Sequence, residues 1–214
     1  MDGSGTVDNP YIVTTAQELY DIRKGGATPA TTSTYYRQGN DISIPGLLAD
    51  IWFLGAGTDK TYQFKDYNGA GFKVMGLTSG AVSVDDMGLF PIVSTSNVII
   101  RNLGVECNLS GADNVGGIVG RTTATASITN CYSAGDISGA DNVGGIVGYL
   151  LNSETYPTRR KIENCFALNR KIIRKSGFVA ESFGRIVGAL ETDGMTLVNN
   201  YALETMLFYP DGDV

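Results

Sequence analysis

The side chains that could do chemistry in this chain are sparse and regularly placed. Asp113 and Asp141 occupy the same "GADN" tetrapeptide, 28 residues apart. If the two copies stack as neighbouring strands, the carboxylates lie ~5 Å from each other. They then either stand as solvated turn residues or share a bridging calcium ion, which takes carboxylate and turn-carbonyl oxygens. Asp85–Asp86 is an adjacent pair, but neighbours in a strand face opposite sides, so it does not by itself make an acid/base couple. Cys131 and Cys165 fall in equivalent frames and Cys107 in neither. All three read as small apolar fillers. A nucleophilic thiol lacks its usual activating base, because the chain of 214 residues contains no histidine. The same lack removes the commonest metal ligand.

One segment is basic in an otherwise acidic chain. "YLLNSETYPTRRK" (149–161) brings Tyr149, Tyr156, Arg159, Arg160 and Lys161, and Arg170, Lys171, Arg174 and Lys175 follow. Between 151 and 190 there are eight basic and three acidic side chains, against a net charge of −6 for the whole. Guanidinium forks fit carboxylates and sulfates, so this segment is a candidate site for a glycan or a partner surface. Charges balanced by acidic neighbours across the fold are the competing reading. The aromatics of "TYYRQ" (34–38), with Trp52, Tyr62 and Tyr67, are either a stacking platform for sugar rings or part of a cap and core.

The elements that must position these groups repeat. "SGADNVGGIVG" stands at 110–120 and again at 138–148. Gly88, Gly116, Gly144 and Gly184 anchor one series, with spacings of 28, 28 and 40. Asn102, Asn130, Asn164 and Asn199 anchor a second, with Gly76 upstream in the same frame. Each repeat holds two short Ile/Val-rich runs bounded by Gly, Asn, Asp and Ser, which reads as strand–turn–strand. One such unit cannot bury its apolar face, but stacked copies can. The pattern predicts an all-β fold, a parallel β-helix or solenoid. A right-handed coil is the default for parallel crossovers. Its core columns are Ile118–Ile146–Ile186, Val119–Val147–Val187 and Ile128–Ile162–Leu197. The "VGGIVG" glycines are expected at corners, supplying left-handed backbone and close approach between coils. The asparagines are expected at inward turns, bonded amide to amide.

At the N-terminus, Thr15 and Glu18 form a capping box, and Leu19 and Ile22 share a helical face. A short helix here would cover the open end of the solenoid. "NDISIPG" (40–46) reads as the first strand. The chain is one solenoid domain over 1–214. It comprises a cap and first strand (1–50), regular coils (51–148), an insertion loop (149–161) and C-terminal coils (162–214).

The stretches "DGSGTVDNPYIVTTAQELYDI", "FKDYNGAGFKVMGL", "MGLFPIV", "IRNLGV" and two copies of "NVGGIVG" around "ITNCYSAGDISG" resemble the GLUG-motif repeat proteins. Those are bacterial surface proteins, common in gut Bacteroidetes and found in secreted adhesins and in exported proteases outside the catalytic domain. The resemblance implies a β-helical scaffold or adhesive module, extracellular or on the cell surface, with no catalytic residues to carry over. "SFGRIVG" departs from the pattern, with Phe183 and Arg185 in place of Val and Gly.

Composition excludes some partners. A net charge of −6 does not suit non-specific nucleic-acid binding. No apolar run reaches the ~20 residues of a transmembrane helix. Met1 leads directly into "DGSGTVDNP" and the chain closes on "FYPDGDV", ends expected of a piece of a longer precursor whose export signal lies elsewhere. Expected partners are glycans or host and bacterial surface proteins. Three function classes remain: a non-catalytic adhesin-like scaffold, a carbohydrate-binding module, and a polysaccharide-degrading β-helix enzyme. The last needs paired carboxylates at a set separation or a metal with a Lys or Arg base, and no spacing supplies either.

Overall fold

The computed structural model describes residues 1–23, 31–46, 52, 60–79, 84–151, 161–175, 182–190 and 196–209. Within these residues the chain winds through four parallel sheets. The first sheet stacks Tyr11–Val13, Tyr35–Gln38, Asp66–Asn68, Val98–Arg101, Ala126–Thr129, Lys161–Glu163 and Thr196–Val198. The second stacks Ile42–Ser43, Lys73–Thr78, Gly104–Ser110, Tyr132–Gly139, Phe166–Arg174 and Tyr201–Ala202, with Leu207–Tyr209 also pairing to Phe166–Arg174. The third holds Asp113–Gly116, Asp141–Gly144 and Phe183–Gly184. The fourth holds Thr61–Tyr62, Phe90–Val93, Val119–Thr122, Val147–Leu150 and Val187–Leu190. One coil therefore runs Val119–Thr122, Ala126–Thr129, Tyr132–Gly139, Asp141–Gly144 before the next begins.

The predicted columns form. Val119, Val147 and Val187 pair in register, as do Ile128, Ile162 and Leu197. Ile118 donates its N–H to the Ile146 carbonyl, and Ile146 to that of Ile186. Ile118, Ile146, Ile128 and Ile162 are fully buried. Burying each such side chain contributes roughly 1.5–3 kcal/mol. Stacking like on like keeps each column filled without a change of shape from coil to coil. The departure at Phe183 is absorbed: Phe183 pairs with Val143 and Gly184 with Gly144.

The asparagines take left-handed backbone, with φ of 54°, 54°, 53° and 51° at Asn102, Asn130, Asn164 and Asn199. Their amides form a ladder. Asn102 donates to Asn68 Oδ1 at 3.0 Å, Asn130 to Asn102 at 3.2 Å and Asn164 to Asn130 at 3.1 Å. The ladder stands on the rim rather than inward, since Asn130 and Asn164 are exposed. A second ladder was not anticipated: Asn142 donates to Asn114, and Asn114 to Asp86 Oδ1, each at 2.9 Å, all three residues having positive φ. Asn114 and Asn142 thus fill the left-handed places expected of the "VGGIVG" glycines. Those glycines have ordinary φ and serve close approach instead. A Cβ on Gly148 would lie 2.5 Å from Val115 N and 2.6 Å from Gly120 O.

Gly76 is not in the asparagine position. It has φ +77° and sits where the register shifts between Met75 and Leu77, a bulge in the second sheet. Gly135 (φ +108°) marks a similar shift opposite Asn169 and Lys171.

The N-terminal cap forms as predicted. Helix α1, Ala16–Asp21, carries the full capping box, with Thr15 Oγ1 accepting from the Glu18 N–H and Glu18 Oε2 from the Thr15 N–H. Leu19 and Ile22 are buried. The sheets start earlier than the 40–46 segment, because Tyr11–Val13 already pairs with Tyr35–Gln38. Ile42 and Ile44 do point into the core. Tyr36, Trp52, Tyr62 and Tyr67 are buried too. Tyr62 and Tyr67 meet Phe90 edge-on at 5.1 Å, and Trp52 Nε1 donates to the Leu89 carbonyl at 3.0 Å. These rings form the first coils' core, which overturns the sugar-platform reading for them.

Candidate functional site

The second sheet carries the longest strands, and its outer face is the broadest surface on which side chains line up in register. Alternation places Glu106, Asn108 and Ser110 outward from one strand and Ala134, Asp136 and Ser138 from the next. Gly104 leaves room for the Tyr132 ring: a Cβ there would stand 2.4 Å from it. Beyond Tyr132 in register come Phe166 and Tyr201, stacked at 5.4 Å and 19°. The two rings stack on each other between coils, and both are exposed. The bulges open two adjoining depressions on this face. One, of about 430 Å3, runs past Gly76, Glu106, Gly135 and Arg170, and the other, of about 240 Å3, past Ser110, Ser138 and Lys171.

Glu106 and Asp136 on this face are each paired with a cation. Lys73 Nζ donates to Glu106 Oε1 at 2.8 Å. The Arg170 guanidinium grips Asp136 with two bonds, of 3.2 and 2.9 Å. Similar pairs stand on the other faces, where Asp66 meets Arg101 at 3.1 Å and Asp86 meets Arg121 at 2.7 Å. A carboxylate so committed is a poor general acid or base.

The predicted basic site is divided. Tyr149 is half-buried in the fourth sheet, aligned with Arg121 and Ala189. Lys161 is exposed at the start of a first-sheet strand and is ion-paired with Glu163. Tyr156, Arg159 and Arg160 lie outside the described residues. Arg170 and Lys171 belong to the second sheet. The segment's described cations therefore spread over several faces, and Lys161 and Arg170 are ion-paired. The Asp136–Arg170 pair was missed in the sequence because its spacing of 34 is read only once the bulge at Gly135 is known.

Asp113 and Asp141 do pair across adjacent strands of the third sheet. Asp85 heads the same column, accepting the Asp113 N–H on Oδ1 at 3.1 Å. Burial, together with the Asp85 and Asp141 charges, holds the Asp113 carboxyl above its ordinary range. Lys60 donates to the Asp85 carbonyl at 2.7 Å, so a cation is already present beside the column. Among the described residues no group of three or more His, Cys, Asp or Glu is disposed to hold a metal ion.

The thiols are buried and free. Burial pushes Cys107 up to about 12 and Cys131 well above the usual thiol range. Cys131 Sγ faces the Thr129 carbonyl at 3.1 Å, and Cys165 Sγ the Glu163 carbonyl at 3.4 Å. All three are buried core positions, closed to solvent. Among the described residues no helix is long and apolar enough to cross a membrane.

A family model, described as the GLUG motif, matches residues 111–138. No curated protein matches the chain. Among solved structures the chain is similar to one described as a "putative immunoglobulin A1 protease from Bacteroides ovatus", with 19% sequence identity and a TM-score of 0.47, over 99% of this chain and 80% of that one. Residues 111–138 are thus one GLUG-motif unit, carried within a parallel β-solenoid.

Proposed function

We propose that this chain is a non-catalytic, adhesin-like repeat module, secreted or displayed on a cell surface, that offers the outer faces of its sheets to glycans or surface proteins. The observation that carries this reading is the commitment of carboxylates to neighbouring cations, Glu106 to Lys73 and Asp136 to Arg170, on the broadest face of the solenoid. Buried thiols and a chain without histidine support it further. Together these argue against the polysaccharide-degrading reading, which needs an acid and a base free to exchange protons.

A second reading places carbohydrate recognition in the 149–161 segment. Its support is positional. In the preceding coil three residues, 123–125, join the fourth-sheet strand to the first-sheet strand, whereas here residues 151–160 do so. Loops that leave a regular scaffold are where binding residues commonly sit.

The test is a screen of the purified chain against glycans and matrix proteins, with calcium and with chelator, and with product formation followed on the same glycans. Saturable binding without turnover is expected. Turnover of any polysaccharide would overturn the non-catalytic reading. Loss of binding in Arg159→Ala/Arg160→Ala would move the site to the insertion, and loss with chelator that Asp113→Asn/Asp141→Asn reproduces would assign it to Asp113 and Asp141.

A further inference from the structure

A separate cleft of about 430 Å3 lies between the N-terminal loop at 7–10 and the outer face of the first sheet. Its size is within the range of small-ligand sites. Its floor is one register column: Arg37 pairs with Asn68, and Asn68 with Arg101. Successive rungs are ~4.8 Å apart, so the two arginines straddle the amide at about 10 Å between backbones.

The column is made of donors. Arg101 Nε bonds both carboxylate oxygens of the buried Asp66, at 3.2 and 3.1 Å. That pair fixes the guanidinium plane, and its terminal nitrogens have no partner among the described residues. Arg37 is exposed and has none either. Asn68 Oδ1 is already taken by the Ala70 N–H and by Asn102, which leaves its NH2 group for the cleft. Tyr35 and Ile12 also line the cleft. Against these stands Asp8, the lining carboxylate that is not ion-paired among the described residues.

The lining's formal charges cancel, Asp66 and Asp8 against Arg101 and Arg37, but its open donors, the Arg37 fork, the terminal nitrogens of Arg101 and an amide NH2, call for a ligand rich in planar acceptors. Arginine is the side chain suited to planar carboxylates. We propose that this cleft binds an acidic oligosaccharide, a chain of uronic acid rings whose carboxylates meet Arg37 and Arg101 while a ring hydroxyl meets Asn68. The inference rests on the recognition reading above and names a ligand class and a place for it, remote in sequence from the 149–161 insertion.

The experiment is calorimetric titration of the intact chain with hexagalacturonate and, separately, with cellohexaose. Galacturonate is expected to bind saturably, at least tenfold tighter than cellohexaose, and more weakly as salt is raised. Arg37→Ala is expected to weaken it at least tenfold, and Arg37→Lys to weaken it less. Arg37 is exposed, so both variants are expected to keep the parent's unfolding midpoint. No uptake of galacturonate, equal uptake of both sugars, or an Arg37→Ala variant that binds as the parent does would each overturn the proposal. If the screen finds some other glycan or protein bound, the recognition reading stands while this assignment falls.

Discussion

Replacing Asn130 separates the two jobs of the rim ladder. Its side chain donates to Asn102 at 3.2 Å and accepts from Asn164 at 3.1 Å, while its backbone is held at φ 54°. Alanine removes both side-chain bonds and, lacking the short polar side chain that lets Asn adopt left-handed backbone, meets there a cost of roughly 1–2 kcal/mol. Each bond is exposed, so its net worth lies near the lower end of the usual range, about 0.5 kcal/mol. Asn130→Ala should therefore cost about 2–3 kcal/mol. Asn130→Gly loses the same two bonds but keeps the backbone unstrained, and should cost about 1 kcal/mol. For a chain of this size 1 kcal/mol corresponds to roughly 2–4 °C. Far-UV circular dichroism in a urea series, repeated on heating, gives both midpoints. Equal midpoints for the two variants would refute the backbone contribution. A glycine variant as stable as the parent would refute the ladder's.

Further outcomes follow from the same geometry. Ile162→Ala, in a fully buried column, should cost about 2–5 kcal/mol, whereas Leu197→Ala, 48% exposed in the same column, should cost well under that by the same urea midpoints. Gly148→Ala meets backbone that cannot yield and should cost roughly 1–3 kcal/mol or more of stability, while Gly46→Ala, with open space around it, should leave the midpoint unchanged or raise it. The Asp113 carboxyl has a folded-state pKa above its ordinary value, so its contribution to stability is full below that ordinary value and is lost as pH rises through the folded one. Asp113→Asn should accordingly raise the midpoint at pH 7 and leave it unchanged at pH 3. At pH 8 a thiol reagent should leave the native chain unlabelled and modify all three cysteines once it is unfolded.

The architecture was legible because stacking makes the same demand at every coil. Ile118, Ile146 and Ile186 could be aligned by eye, since a column tolerates little change of shape. The capping box at Thr15 and Glu18 was equally plain, being a local rule. Short strands outside the repeat were not: Tyr11–Val13 has no periodic partner in sequence, only Tyr35–Gln38 beside it in space. Left-handed backbone was expected of glycine on conformational grounds, but Asn114 and Asn142 hold it because their amides also bond between coils. The direction in which an aromatic points is decided by which coil it closes, and so Tyr62 and Tyr67 resisted assignment. The Arg37–Asn68–Arg101 column escaped notice for a related reason: its spacings of 31 and 33 fall outside the 28-residue period.

Both amide ladders are vectors. In each, the later rung donates and the earlier one accepts, from Asn164 back to Asn68 and from Asn142 back to the carboxylate of Asp86. Dipoles so aligned polarise one another along the axis. A unit added in the same sense brings a donor to a waiting oxygen, while an inverted unit brings oxygen to oxygen. The ladders thus favour tandem duplication over reversal. A 28-residue copy of 111–138 spliced in after Ser138 should be read as one more word in the same sentence.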